Sequence, residues 1–346
     1  MTLLTRRRYF LTLLAFAGFA LAAVIVAPHF GAERINTWGA LKAWIRDRDA
    51  SRLSEEVNIL IDLRFPRVAL AFLAGAALGL AGAVFQALLR NPLAEPYTLG
   101  VASGGSLGAV LVLFLPGLAL RWGCLSTVQV GSFAGASAVV LIIYFMARSR
   151  AGISSIALLL AGVTTGFICG AGILLVRYIA RPDLLVEMDH WLMGGLDVTG
   201  WNPVWSTLPL LIPGAAILLA QARHYDQIAY GEELAAGRGV AVRRLQHISF
   251  FGGSLLTASV VATTGPIGFV GLLVPHAIRR LIGPDHRLLL PCTFFGAGAF
   301  LVICDTFARS ISLQLPVGIL TTLLGGPFFL YLLIRSRGRW GKGTMA

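Results

Sequence analysis

The amino-acid sequence predicts an all-α membrane protein of about ten transmembrane helices, with both termini on the cytoplasmic side. Three observations carry this expectation. Hydrophobic residues make up 57% of the 346 and charged residues only 13%, about half the ~25% of a soluble chain, and the mean hydropathy is +0.79. The apolar residues fall in blocks of about 20, the length that crosses a bilayer core. The basic residues gather between those blocks, mostly on one side of the predicted bundle. In a soluble protein a formal charge of +12 would suggest nucleic acid as a partner. Here loop topology accounts for the charge, and no nucleic-acid partner is expected.

Ten apolar segments are legible: 9–30, 64–89, 98–116, 126–147, 152–176, 203–221, 245–264, 266–283, 288–308 and 316–335. The first follows Arg6-Arg7-Arg8, and Arg7-Arg8-Tyr9-Phe10-Leu11 resembles a twin-arginine signal. Its apolar run of about 20 residues exceeds the ~7–15 of a signal peptide, so an uncleaved first span is expected. The second, fourth and fifth segments carry glycines at small-xxx-small spacing: Gly75/Gly79, Gly131/Gly135 and Gly162/Gly166/Gly170. The third and eighth are short and hold Gly or Pro, which predicts tilted or broken helices. Thr263-Thr264-Gly265-Pro266 separates the seventh from the eighth.

Ten spans place both termini on one side. That side holds seventeen Lys and Arg against five Asp and Glu, and the other holds eleven of each. The whole +12 therefore lies on one face, and the positive-inside rule assigns that face to the cytoplasm. Three polar segments remain, the external 31–63 and 177–202 and the cytoplasmic 222–244. None is large enough for a domain of its own. Residues 1–346 are expected to form a single transmembrane unit in the lipid bilayer, and soluble activities must come from partners.

No G-x-x-x-x-G-K-[ST] phosphate loop occurs, and Gly341-Lys342-Gly343-Thr344 lacks its register. ATP is not expected to bind this chain by that device. Gly104-Gly105-Ser106-Leu107-Gly108 fits the G-x-S-x-G of hydrolases without the strand–turn–helix context or the His partner. The run Gly100 to Ala109 reads instead as a helix face for close packing, and no enzymatic activity is expected. His276, beside Pro275, has no second ligand at metal spacing, so no metal site is expected. Cys124, Cys169, Cys292 and Cys304 read as small hydrophobes in or beside spans. Asp305 and Arg309 are i,i+4 on one helix and can pair with each other, and Arg177 lies near a span end. The lack of a buried proton relay counts against a self-sufficient secondary transporter or channel, the alternative reading. Asp226 to Leu245 reads as two short helices, about 227–236 and 240–245, joined by Gly237-Arg238-Gly239. Such a piece is either a solvated loop or a docking element for a cytoplasmic partner.

Four ordered stretches, covering about residues 60 to 335, carry a family resemblance. The first runs from Arg64-Phe65-Pro66-Arg67 through AGAALGLAGAVFQALLRNPLAEPYTLGVASGGSLGA at 74–109. The second is LLLAGV at 158–163 with HWLMGGL at 190–196. The third is GPIGFVGLLVPHAIRRLIGPDHRLLLP at 265–291. The fourth is CDTFAR at 304–309 with LPVGILTTLLGGPFFLYLL at 315–333. Together they resemble the FecCD family, type II ABC importer permeases for iron–siderophore, haem and cobalamin type cargo.

The resemblance implies a ten-span subunit of the cell inner membrane that pairs with a second permease, as a homodimer or a heterodimer. It also implies two ATP-binding subunits, which use ATP and Mg while the permease binds no cofactor, and an extracytoplasmic substrate-binding protein. Arg64, Arg67 and Arg309 match arginines that face outward and meet acidic residues of that protein. As external residues at span ends they can pair bidentately with carboxylates, or can anchor the interface by snorkelling. Gly231, Glu232, Ala235, Ala236, Arg238, Gly239 and Val240 match the segment, about 226–245, that docks on the ATPase. Tyr230 and Arg238 depart from the small or aliphatic residues usual there, which implies a distinctive cognate ATPase. Gln86, Asn91, Leu93 and Ser155 match positions on the translocation path or its cytoplasmic exit.

Overall fold

A computed structural model of the chain describes residues 5–31, 33, 35–46, 55–115, 121–149, 152–311 and 315–340. Helix dominates throughout. α1 (Arg6–Val26) starts at Thr5, whose hydroxyl accepts from the Arg8 N–H at 3.3 Å, and runs into a single tight turn at Ala27–His29. α2 (Thr37–Arg46) is short. α3 (Glu55–Asn58) passes through a wide turn, Ile59–Arg64, into α4 (Phe65–Leu88), and Glu55–Leu88 forms one rod of 34 residues. α5 (Val101–Phe114), α6 (Thr127–Ala147), α7 (Ser155–Ile179), α8 (Pro182–Leu192) and α9 (Asn202–Ala220) follow. Then come the short α10 (Ala222–Ile228) and α11 (Glu232–Gly237), and the long α12 (Val242–Thr264), α13 (Val270–Ile282), α14 (His286–Ser310) and α15 (Val317–Trp340). Two small antiparallel hairpins, 121–126 and 148–153, flank α6.

Local chemistry explains several helix starts. Ser126 and Gln129 form a reciprocal capping box at α6, Ser154 caps α7, and Asp285 caps α14. Pro182 and Pro203 sit in first turns, where the missing N–H costs nothing, and Pro66 lies within the Glu55–Leu88 rod just after its wide turn.

Each of the ten apolar segments falls on a helix: α1, α4, α5, α6, α7, α9, α12, α13, α14 and α15. Among the described residues, seven helices are long and apolar enough to cross a membrane, and α5 and the Val317–Tyr331 part of α15 are shorter. α13, with 13 residues, is about 20 Å long against a core of about 30 Å. The third and eighth segments, expected to be short, are so, and the apolar part of the tenth is short as well.

α4 lies at the centre, with 83% of its apolar window buried, whereas α1 lies at the edge with 11%. A helix apolar on every side needs neighbours on every side, and α4 packs against α9, α12, α13 and α14. The approach of α14 is close enough to require glycine. A Cβ on Gly75 would overlap the Ala297 carbonyl, and one on Gly79 would overlap the Ala297 side chain. α5 and α6 meet the same way, through Gly104, Gly108, Gly131 and Gly135, and Ser106 is buried on the same small-residue helix. In α7, Gly162 packs under Thr98, while Gly170 has nothing within 4 Å of where its Cβ would lie. Cys169, Cys292 and Cys304 are buried in helices, and Cys124 is exposed in the first hairpin.

Two sequence expectations are corrected. The helical rod containing α4 begins at Glu55, nine residues before the expected span. The expected helices at 227–236 and 240–245 are instead α10, α11 and the first turn of α12. Gly231, at φ 118°, breaks the first, and Gly239, at φ 86°, turns the chain into α12. The Gly341 to Thr344 fragment lies outside the described residues.

The packing predicts a sharp positional contrast. Gly75→Leu is expected to cost about 1–3 kcal/mol through overpacking. Gly18→Leu, where α1 has nothing within 4 Å, should change stability by less than about 0.5 kcal/mol. Thermal unfolding of the two purified variants in one detergent measures both.

Candidate functional site

Two polar clusters stand at opposite ends of the bundle. At the far end from the termini, α4 opens with Arg64 and Arg67 and α14 closes with Asp305 and Arg309. Arg67 donates from Nε to both Asp305 oxygens, at 3.0 and 3.1 Å, and from Nη2 to Oδ1 at 2.8 Å. Its Nη1 pairs with Asp197, whose other oxygen lies 3.5 Å from His190 Nε2. The Asp305 side chain is only 1% exposed, whereas that of Asp197 is 43% exposed. Arg309 donates from Nη2 to the Ala27 carbonyl at 2.5 Å. Arg64 donates to the carbonyls of Pro28 and Glu33 at 2.7 and 2.5 Å.

This geometry corrects the picture of three outward-facing arginines. Arg64 and Arg309 are buried, Arg67 is half-buried, and all three are engaged within the chain. The connection from α1 to α2 lies over the ends of α4 and α14, and its Ala27, Pro28 and Glu33 carbonyls accept from the Arg309 and Arg64 guanidiniums. The expected Asp305–Arg309 pairing is also secondary. Arg309 Nε lies 3.8 Å from Asp305 Oδ2 and makes no hydrogen bond, and the bidentate partner of Asp305 is Arg67.

At the other end, α10 and α11 form a hook beside the start of α14. Asp226 Oδ1 accepts from the His286 backbone N–H and lies within hydrogen-bond distance of His286 Nδ1, both at 2.7 Å. The Tyr225 hydroxyl meets Ser249 Oγ at 2.9 Å, which pins α10 to α12 as well. Asp285 accepts from the Arg287 guanidinium and N–H, and these bonds hold its carboxyl below the usual range. The hook closes on itself through Ala235, which is fully buried and whose carbonyl accepts from the Val240 N–H at 3.1 Å.

Of the residues matched to ATPase docking, Ala236, Arg238 and Gly239 are exposed and Gly231 and Glu232 are half-exposed. Glu232 pairs with Arg90 at 3.4 Å. Ala235 and Val240 face inward, so they hold the hook's shape. Sequence reading passed over Leu234, 58% exposed, and the apolar side of Tyr230, 60% exposed, with the Arg238 guanidinium 5.9 Å from its ring centroid. It also missed Asp226 and His286, which only the fold brings together.

Between the two ends, Gln86 is a tie and not the lining of an open path within this chain. It is buried, its Nε2 donates to the Gly271 and Leu272 carbonyls at 3.4 and 3.3 Å, and Arg279 Nη1 donates to its Oε1 at 2.9 Å. Asn91 shapes the turn after α4 by accepting from the Leu93 N–H at 3.0 Å. Leu93 is half-buried, and Ser155 is half-buried at the start of α7. Glu95, in the connection from α4 to α5, was missed. It is buried and accepts from the Phe269 N–H at 2.5 Å, while the Tyr97 hydroxyl accepts from the Ile267 N–H. Burial pushes the Glu95 carboxyl up to about 7, against the pull of the Phe269 bond. The sequence signal for it was an acid set between Ala94 and Pro96 in an otherwise apolar connection.

Comparison with known proteins places this multi-helix chain among the permeases of ABC importers. The solved structures include a close match, an inward-facing conformation of a transporter described as metal-chelate type ABC. It has a TM-score of 0.80 at 25% identity and covers 94% of this chain and 99% of that one. An uncharacterized ABC transporter permease protein, YvrB of Bacillus subtilis, is 45% identical over 282 residues, 81% of this chain and 79% of its own. The cobalamin import system permease BtuC of Halobacterium salinarum is 41% identical over 78% of this chain and 72% of its own. The hemin transport system permease HmuU of Yersinia pestis is 39% identical over 81% and 84%. Residues 16–335 match the FecCD transport family, and the chain belongs to it.

Two predictions follow from the site's electrostatics. Asp305→Asn, which strips Arg67 of its buried partner, should cost about 3–5 kcal/mol, whereas Asp197→Asn at the exposed end should cost under about 1 kcal/mol. Chemical unfolding of the two variants gives the comparison. Because Glu95 holds its proton up to about pH 7 when folded and releases it near 4.3 when unfolded, it favours the fold at low pH. That contribution, roughly 4 kcal/mol, is complete below pH ~4.3 and lost as pH rises through ~7. Melting curves from pH 5 to 8 should therefore slope downward less steeply in Glu95→Gln than in wild type.

Proposed function

We propose that the chain carries an iron–siderophore, haem or cobalamin type cargo inward across the cell inner membrane, as one of two permease subunits driven by two ATP-binding subunits. The cargo class is supported by relatives whose names specify cobalamin, hemin and iron(3+)-hydroxamate import. The observation that carries the mechanism is that α14 joins both polar clusters. His286 at its start is clasped to the hook through Asp226, and Asp305 near its end is clasped to α4 through Arg67.

In this reading the ATPase grips the exposed part of the hook, at Tyr230, Leu234, Ala236, Arg238 and Gly239. Closure of the ATPase pair on ATP and Mg moves the hook, and the Asp226–His286 clasp passes the motion to α14. The substrate-binding protein meets the far end at Asp197, His190 and the accessible side of Arg67, while Arg64 and Arg309 hold that surface in shape. The cargo passes between the two permease copies, with Asn91, Leu93 and Ser155 near the cytoplasmic exit. The excess of Lys and Arg on the hook's side orients it to the cytoplasm.

Uptake into proteoliposomes should require the ATPase, ATP and the binding protein together. Uptake without the ATPase that collapses with the proton gradient would instead favour a secondary transporter. Within the complex, Leu234→Asp should lower co-purification of the ATPase at least about tenfold, as loss of an apolar anchor does. Asp226→Asn should leave that co-purification intact and reduce uptake. Full ATPase retention in Leu234→Asp would remove the hook from the docking surface.

A further inference from the structure

At the far end, beneath α2, lies a pocket of about 370 Å³ that the transport reading does not use. Its walls include Val24 and Ile25 of α1, Leu41 of α2, and Val68 and Ala69 of α4, and Trp38 and Trp201 stand among its lining residues. The volume falls within the ~300–1,000 Å³ of small-molecule sites, and the walls are almost wholly apolar.

Three features say what covers it. α1 is the least buried of the candidate spans, and its exposed Leu21 and Ile25 run up to the pocket. The surface that α1 turns to hydrocarbon is thus continuous with the pocket wall. α2 carries apolar residues on two faces. Ala40 and Leu41 pack inward with Val57 and Leu60, while Trp38, Trp44 and Ile45 are 65%, 42% and 65% exposed. Tryptophans on a short helix beside the end of a span mark the level of the lipid headgroups, where their rings are half in hydrocarbon. Lys42 is exposed and shares a face with Trp38 at i,i+4. Its stem can lie along the apolar surface while its ammonium reaches a phosphate.

We infer that this pocket holds one acyl chain of a membrane phospholipid, with the headgroup phosphate at Lys42. Left without a chain, the apolar walls would forgo the dispersion contacts that a methylene chain supplies. The seated lipid braces α2 and the turn before it. That connection supplies the Ala27, Pro28 and Glu33 carbonyls to Arg309 and Arg64. The site therefore supports the far-end cluster from the membrane side.

Native mass spectrometry of the full chain, with the anionic lipid palmitoyl-oleoyl phosphatidylglycerol as the probe, tests the inference. Wild type should keep one lipid at collision energies that strip the others. Ala69→Trp, which fills the pocket, should lower that retained fraction about tenfold. Lys42→Ala should lower it about fivefold, as loss of one cation near a lipid surface does, and Lys42→Arg should restore it. Unchanged retention in an Ala69→Trp protein with wild-type melting behaviour overturns the site. Should that variant fail to fold, unchanged retention in the surface variant Lys42→Ala overturns it instead.

Discussion

α4 and α14 approach so closely at Gly75 and Gly79 that no larger residue fits there, and the bidentate Arg67–Asp305 ion pair caps the contact. A buried pair is a weak source of stability, because desolvating two charges cancels most of their attraction. Its effect is geometric. The bidentate fork fixes the rotation and the height of α14 against α4, and the Gly75–Ala297 contact about two turns deeper holds the same register. At the other end of α4, Gln86 fixes α13 in the same way through Arg279 and the Gly271 and Leu272 carbonyls. Three helices thereby become one frame, on which the connections at both ends are hung.

The two ends use that frame differently. At the far end the covered arginines recruit backbone, and Arg64 and Arg309 turn the α1–α2 connection into part of the frame. At the hook end Tyr225, Ile228 and Ala235 are fully buried in the main core, and polar bonds add to that packing: Asp226 on His286, Tyr225 on Ser249, and an exposed Arg90–Glu232 pair. Such exposed pairs contribute little. A rigid frame with a hook keyed into it suits a subunit that receives motion from a partner. α14, at 25 residues, is about 37 Å long and reaches from one polar cluster to the other.

The apolar helices were legible in the sequence because hydrocarbon leaves the chain little choice. Each span must be helical, apolar and about 20 residues long, and Gly and Pro marked where α5 and α13 fall short. The small-residue spacing of Gly75/Gly79 and Gly131/Gly135 also identified true contact faces. What stayed hidden depends on chain segments meeting across long separations. Nothing local says that the α1–α2 connection covers Arg64 and Arg309, or that Asp226 meets His286 across 60 positions. The i,i+4 spacing of Asp305 and Arg309 pointed to each other, yet Arg67, 238 positions away, offers two aligned N–H groups and takes the carboxylate. In the hook, Gly231 was read as helix because its positive φ has no distinctive flanking pattern.

If the α4–α14 pair is a fixed frame, its internal distances must survive the transport cycle while the subunits around it move. Electron–electron resonance between spin labels at Leu63→Cys and Phe307→Cys, both exposed positions near the far end, measures this directly with exposed Cys124 replaced by serine. Nucleotide-free and ATP-bound complexes should give distances equal to within about 1 Å, below the helix shifts of allosteric interfaces. A shift of about 5 Å, one helical turn, would mean that α14 slides along α4 and that the glycine-packed pair is a moving part.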